Sequence, residues 1–297
     1  MIWFVTGSSR GLGREIVLAA LERGDSVAAT ARTPAQLDDL SQKYGDRVLA
    51  LPLDVTDAEA VEDAVATAVE AFGTLDVVVN NAGWADMSAF EDTPIDNFRA
   101  QVETNFFGVV NVTRSVAPIL RRQGHGSLIN VSSIGGRLGT PGLSAYQASK
   151  WAVNGFTEVI AQELGPLGVR VTTIEPGGMT TDWGGASMTI PPISEPYEQS
   201  VGAMVRLLRQ GERKPLGDPA KVAQVIVRIT EMDEPPVRLL LGSDALNGAR
   251  YAAHTTAERD AAYTDLSRST DRDDATAQER DPLGQAFSTS ADGAAVE

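Results

Sequence analysis

The stretch that most constrains the fold lies at the start of the chain. Ile2, Trp3, Phe4 and Val5 form a short apolar run that reads as a buried strand. Gly7-x-x-x-Gly11-x-Gly13 follows at once, and then residues 14–23, where Ile16, Val17, Ala20 and Leu21 recur on one helical face. Strand, glycine turn and helix in this order bring backbone N–H groups and a helix N-terminus together, which is the geometry that receives a pyrophosphate. The spacing is not G-x-G-x-x-G, and read alone it also fits a glycine-rich structural turn.

The same alternation runs down the chain. Apolar runs expected to be strands occupy Ser26–Ala31 and residues 48–53, 75–79, 169–174 and 237–241, with Leu128, Ile129 and Val131 marking another. Amphipathic patterns predict helices over Ala58–Phe72, residues 96–122, Ser144–Leu164 and residues 218–232. Pro118 should kink the second of these. Residues 244–266 have the pattern of one more helix. From 267 onward the chain is rich in Asp, Arg, Ser, Thr and Ala, so 267–297 is expected to be a disordered tail on a single domain spanning 1–266.

Composition narrows the function classes. A net charge of −15 argues against a nucleic-acid surface and against an anionic membrane. A chain with no cysteine has neither disulfides nor thiolate chemistry, and its two isolated histidines, His125 and His254, do not assemble a His-based metal site. His125, between two glycines, is expected to be exposed. No apolar run reaches transmembrane length, and the first strand begins at residue 2, so a cytoplasmic protein is the expectation.

Chemistry concentrates between residues 132 and 150. Tyr146 and Lys150 are four apart on a predicted helix, so their side chains share a face. A phenol is a poor acid at neutral pH, and an ammonium beside it favours the phenolate and makes the hydroxyl a usable proton donor or acceptor. Ser133 follows the apolar run of Leu128, Ile129 and Val131. Strand end, loop and helix therefore bring a hydroxyl and a phenol into one crevice.

With these residues in place, the chain resembles the short-chain dehydrogenase/reductase family. The resemblance is carried by Thr6-Gly7-Ser8-Ser9-Arg10-Gly11-Leu12-Gly13, Asn80-Asn81-Ala82-Gly83, Asn105, Ser133, Tyr146/Lys150 and Pro176-Gly177, in order and at the family's intervals across residues 2–242. It implies an α/β fold, a Rossmann-type doubly wound parallel sheet of about seven strands flanked by helices on both faces. It implies a catalytic set of Asn105, Ser133, Tyr146 and Lys150. In that set Ser133 polarises a carbonyl, Tyr146 exchanges the proton, Lys150 lowers the Tyr146 pKa and bonds the nicotinamide ribose, and Asn105 supports a water relay. The cofactor would be held by Gly7, Ser9, Arg10, Gly11, Leu12, Gly13, Arg32, Asp54, Val55, Asn81, Ala82, Gly83, Tyr146, Lys150, Pro176, Gly177 and Thr181. Asp54 and a neighbouring N–H would hold the adenine, and Thr181 the carboxamide. Asp54 also reads as a cap or turn residue before the helix at Ala58–Phe72.

The second strand ends Thr30-Ala31-Arg32, without the carboxylate that accepts a ribose 2′-OH in NAD-preferring folds. Arg32 and Arg10 are placed to clamp a 2′-phosphate, and family members with basic residues at both places generally prefer NADP. NADP is therefore expected over NAD. Residues 179–215, with Trp183, Met188, Ile190, Pro191, Pro192 and Tyr197 among Gly and Ser, read as a substrate lid over an apolar site, and Trp84 is placed to line the same pocket. The expected reaction is hydride transfer between NADP(H) and a carbonyl or secondary alcohol, tilted to reduction. The rivals are an NAD-dependent alcohol or steroid dehydrogenase, a sugar-nucleotide epimerase or dehydratase, and a non-catalytic NADPH sensor. The resemblance also implies a homodimer or homotetramer through the helices at 96–122 and 144–164.

Overall fold

The computed structural model describes residues 1–180, 188–209 and 215–281. It divides into two units, residues 1–249 and residues 250–297. The first unit is built on seven parallel strands: β1 (Ile2–Val5), β2 (Ser26–Ala31), β3 (Val48–Pro52), β4 (Val77–Asn80), β5 (Gly126–Val131), β6 (Val169–Pro176) and β7 (Arg238–Leu241). Their order in the sheet is β3-β2-β1-β4-β5-β6-β7. All six neighbouring pairs are parallel. The order reverses between β1 and β4, which is the switch point where ligands of such sheets bind.

The helices of this unit are α1 (Gly11–Arg23), α2 (Asp38–Tyr44), α3 (Ala58–Phe72), α4 (Ile95–Val102), α5 (Gly108–Gln123), α6 (Ser144–Leu164), α7 (Ala203–Arg209), α8 (Pro219–Ile229) and the first part of α9 (Ser243–Ala262). Period-two alternation along the strands divides the core into two layers. Trp3, Val5, Val27, Ala29, Val77, Val79, Ile129 and Val131 pack with Ile16, Val17 and Leu21 of α1 and Val222 and Ile226 of α8. The intervening Phe4, Ala28, Val78 and Leu128 pack on the opposite face with Val61 and Val65 of α3 and Val112, Val116 and Leu120 of α5. Strands covered on both faces read as continuous apolar runs, which is why they are plain in the sequence.

Three expectations change. The 96–122 helix is interrupted by a π-helical segment at Glu103–Phe107, whereas Pro118 lies inside α5, which runs unbroken from Gly108 to Gln123. The described part of the lid is partly helical: a π-helical turn at Glu198–Gly202 leads into α7. Its residues Val201 and Val205 are buried against Met87 and Ala89, with Met188, Ile190, Ile193 and Tyr197 packed around them. The second unit, which contains the rest of α9, begins earlier than 267 and carries α10 (Thr264–Arg268) and α11 (Ala277–Arg280). α11 starts with a reciprocal Thr276–Glu279 capping box, so local side-chain bonding, not apolar burial, forms this turn. Among the described residues no helix is long and apolar enough to cross a membrane.

Candidate active site

The crevice lies at the carboxyl ends of β1, β4, β5 and β6, and each contributes a motif. After β1, Gly7 and Gly11 adopt positive φ values of 67° and 55°, where glycine carries no side-chain penalty. Gly13 is required for space: a Cβ there would collide with the Gly7 carbonyl oxygen and the Asn81 amide. α1 then starts with no side-chain cap, Arg10 being extended at the cap position, so its first N–H groups face the crevice uncapped. Backbone approach, missing Cβ atoms and uncapped donors fit a dinucleotide pyrophosphate over Gly7, Ser9, Arg10, Gly11, Leu12 and Gly13.

The loop after β4 is tied to this turn. The Asn81 side chain donates to the carbonyls of Thr6 (3.0 Å) and Gly7 (3.2 Å), and the N–H groups of Asn81 and Ala82 donate to Thr6 Oγ1 at 3.0 and 3.1 Å. A Cβ on Gly7 would stand 2.9 Å from the Ala82 Cα. Thr6 is therefore a joint between both loops, which residue type alone did not indicate. Next to it, Asn80 of β4 donates to Asn130 of β5 at 2.8 Å, and Asn130 donates to Thr157 of α6 at 2.9 Å. This buried polar row ties β4, β5 and α6 together.

At the edge of the crevice, Asp54 accepts from the Thr56 N–H (3.0 Å) and hydroxyl (2.8 Å), forming a turn. The cap of α3 is Asp57, not Asp54. Val55 is buried under α5, with Asn111 donating to its carbonyl at 3.0 Å. Arg32 follows β2 and is exposed, as is Arg10. Neither is ion-paired with a described residue, in contrast to Arg14, which pairs with Asp39.

Ser133 sits two residues beyond β5, capping a short 3₁₀ turn, Ile134–Gly136, and its Oγ accepts from the Gly135 N–H at 3.0 Å. In the first turn of α6, Tyr146 is buried, and Ser133 and Tyr146 are hydrogen-bonded through their hydroxyls. Lys150 lies one turn further along and is also buried. Its ammonium donates to the Val131 carbonyl at 2.8 Å and lies 5.8 Å from the Tyr146 ring centre. Burial pushes the Tyr146 phenol up to about 12, with the bond to Ser133 working against it. Burial also pulls Lys150 down to about 8. The expected lowering of Tyr146 by Lys150 is thus not the balance here: desolvation dominates, because both groups are buried and the ammonium is turned toward a carbonyl.

Asn105, fully buried on the π-helical segment, accepts from the Trp84 N–H (2.9 Å) and donates to the Trp84 carbonyl (2.8 Å). A Cβ on Gly83 would lie 3.0 Å from Asn105 Oδ1 and 3.7 Å from Lys150 Nζ, so these three residues meet. The amide fixes the loop backbone beside Lys150. Trp84 is half-buried, and its indole N–H donates to Thr104 at 3.1 Å. Pro176 and Gly177 close β6 on the far side, where the Gly177 N–H donates to the Leu241 carbonyl at 2.9 Å. Thr181 and Trp183 lie outside the described residues. His125 is exposed.

Comparison with known proteins agrees with this geometry. The family model for short chain dehydrogenases matches residues 1–189. Oxidoreductase BOA17 of Botryotinia fuckeliana is 51% identical over 267 residues, covering 90% of this chain and 97% of that protein. A short-chain dehydrogenase structure from Streptomyces avermitilis superimposes with a TM-score of 0.85 at 38% identity, over 91% of this chain and 98% of that one. An alcohol dehydrogenase from Thermococcus sibiricus, complexed with 5-hydroxy-NADP, superimposes with a TM-score of 0.67 at 27% identity, over 81% and 95% of the two chains. A glycine turn at the switch point, a Ser-Tyr-Lys set on β5 and α6, and these relatives lead to one conclusion: the chain belongs to the short-chain dehydrogenase family and is an NAD(P)-dependent oxidoreductase.

Proposed function

We propose that this enzyme uses NADP(H) to reduce a ketone or aldehyde on a largely apolar small molecule. The observation that carries the cofactor choice is Arg32, exposed at the end of β2 where no carboxylate stands, and without an ion-pair partner among the described residues. Arg10, at the start of α1, is a second exposed arginine without an ion-pair partner among the described residues. Two guanidinium groups of this kind suit a 2′-phosphate, which they can meet with paired hydrogen bonds. The Thermococcus sibiricus relative, with its 5-hydroxy-NADP, is consistent with this reading.

When bound, the nicotinamide supplies the hydride. The chain's own residues do the rest. Ser133 Oγ accepts from the Gly135 N–H and is hydrogen-bonded to the Tyr146 hydroxyl, so the two hydroxyls stand together where a carbonyl oxygen would meet them. Tyr146 holds a phenol whose pKa of about 12 keeps it protonated at neutral pH. A proton so held is available to a developing alkoxide, a much stronger base, in the reductive direction. Lys150, at about 8, is still mainly an ammonium at pH 7 and can stabilise charge that arises on Tyr146. Asn105 acts on the backbone of the Trp84 loop, with room in its donor and acceptor capacity for a water as well.

The apolar substrate reading rests on the packing beside Tyr146. Leu143, three residues before it, joins Met87, Met188, Ile190, Val201 and Val205, and a Cβ on Gly142 would touch Met87 and Val201 at 3.0 Å. The homo-oligomer reading rests on α5 and α6: Trp151 and Val159 are more than half exposed on α6, and Phe107 is 43% exposed just before α5.

Titration of the pure protein with NADPH and with NADH, followed by cofactor fluorescence, tests the reading. NADPH should bind at least about tenfold more tightly, equivalent to about 1.4 kcal/mol. Arg32→Asp should weaken NADPH far more than NADH. Equal affinities in the wild type, or equal losses in the variant, would overturn the 2′-phosphate assignment.

A further inference from the structure

A fully buried carboxylate stands outside this mechanism. Glu175 closes β6 immediately before Pro176-Gly177, and it is completely buried. Both its oxygens are taken by guanidinium groups. Arg137 engages it in a two-pronged pair, its Nε on Oε2 and its Nη2 on Oε1 at 3.1 Å. Arg238 of β7 donates from Nε to Oε1 at 2.5 Å and from Nη1 to Glu158 of α6 at 2.7 Å. A buried ion pair of this kind is poor at stabilising a fold, because desolvation offsets most of the attraction, and apolar residues of similar volume would serve as well. What it does provide is a fixed geometry: a bidentate guanidinium–carboxylate pair sets both distance and orientation.

The position of Arg137 gives that geometry a use. Arg137 is four residues from Ser133 and ends the 3₁₀ turn that carries it. The Gly136 N–H donates to the Ser133 carbonyl and the Arg137 N–H to the Ile134 carbonyl, each at 2.9 Å. Gly136 is pressed against α6, where a Cβ would collide with Asn154, whose amide donates to the Gly136 carbonyl at 3.0 Å. The turn is thus held at its start by β5, beneath by Asn154, and at its end by Glu175. Because Glu175 adjoins Pro176-Gly177, one carboxylate joins the loop bearing the Ser133 hydroxyl to the loop on the cofactor side of the crevice.

We propose that Arg137 is a positioning residue for Ser133, with Glu175 as its buried anchor, so that the Arg137–Glu175 pair sets the serine hydroxyl against the cofactor-side loop. The catalytic consequence rests on the reductase reading above; the ordering of the turn does not. The test uses Arg137→Gln and Arg238→Gln in the full chain. Each removes one guanidinium from the same carboxylate, but only Arg137 belongs to the Ser133 turn. Amide hydrogen exchange at Gly135, Gly136 and Arg137 or its replacement should accelerate at least about tenfold in Arg137→Gln and hold steady in Arg238→Gln, with the β4 and β5 amides unchanged. With NADPH and benzil as the probe ketone, Arg137→Gln should lower kcat about tenfold or more while leaving the KM for benzil within about twofold, the pattern of a lost transition-state alignment. Arg137→Lys, which keeps the charge but not the fork, should recover part of both effects. Unchanged exchange in the turn of Arg137→Gln would overturn the proposal. So would acceleration spread evenly over turn and strands in both variants, since that reports general loosening. If the exchange pattern appears as expected but the wild type reduces no ketone and oxidises no alcohol with either cofactor, the reductase reading falls and the Arg137–Glu175 link stands.

Discussion

Lys150 carries a consequence for stability that its position alone makes testable. Its ordinary value of 10.5 falls to about 8 because the ammonium is buried. Between those limits the native chain holds a neutral amine while the unfolded chain keeps its proton. The unfolded state therefore binds more protons, and stability rises with pH from about 8 to 10.5. The full gain is roughly 3 kcal/mol, at about 1.36 kcal/mol per unit. Tyr146 acts in the opposite sense higher up: raised from 10 to about 12, it keeps in the native state a proton that the unfolded chain has lost, so stability falls across pH 10 to 12. Urea unfolding of the wild type and of Lys150→Met at pH 8, 9 and 10 separates the two. The wild type should gain on the variant as pH rises, and parallel curves would refute the depressed amine. The tyrosine and lysine were legible in the sequence because a spacing of four on a helix dictates a shared face. Their titration was not, because it depends on burial and, for Tyr146, on the Ser133 hydroxyl, supplied from another part of the chain. Glu175 and Arg137, 38 residues apart, were hidden for the same reason.

At the scale of elements, the glycine turn and the start of α1 act as one part. Gly13 has no room for a methyl group because the obstacle on one side is the Gly7 backbone carbonyl, which cannot rotate away as a side chain could. Gly13→Ala should therefore push α1 away from β1 or displace Asn81, whose amide ties the β1 and β4 loops together. Overpacking of this kind destabilises by about 1–3 kcal/mol. The loss of NADPH affinity should exceed about tenfold, measured by fluorescence titration, whereas Gly24→Ala at the far end of α1 should lower stability without touching affinity. Equal affinity losses in both would mean that the turn is not a fitted cradle. The contrast between the two glycines was only half legible. Both end or begin a helix in the sequence, but Gly24 is there for its φ of 99° and has open space around it, while Gly13 is there for close approach. The π-helical segment was not legible at all. Its sequence, Glu103-Thr104-Asn105-Phe106-Phe107, is compatible with an ordinary helix, and the widening accompanies the two bonds that tie Asn105 to the Trp84 backbone.

For the whole molecule, the apolar surface left on α6 and beside α5 is the feature that a single sheet domain does not use. Trp151 is 54% and Val159 53% exposed, two turns apart on one helix, and Phe107 stacks edge-to-face on Phe106, which stacks in turn on Phe156 of α6. Scattered exposed apolar residues are ordinary, but several of them along neighbouring helices in a chain of net charge −15 support the proposed homo-oligomer. The sequence showed that these helices have generous apolar faces, and only the folded arrangement separates the residues spent on the core, such as Val153, from those left outside. In that proposal the occupant is a second copy of the chain, since a patch shared by two copies pairs naturally across a two-fold axis. Sedimentation velocity of the wild type at about 10 μM, well above the dissociation constants of stable interfaces, should give a dimer or tetramer. Trp151→Glu with Val159→Glu should give a monomer, because each introduces a charge that would have to be buried against its own symmetry mate. The same double variant should keep its NADPH affinity, since neither residue lies on the carboxyl ends of β1, β4 or β6. A wild type that sediments as a monomer would remove the oligomer reading and leave these aromatic faces as surface of the enzyme itself.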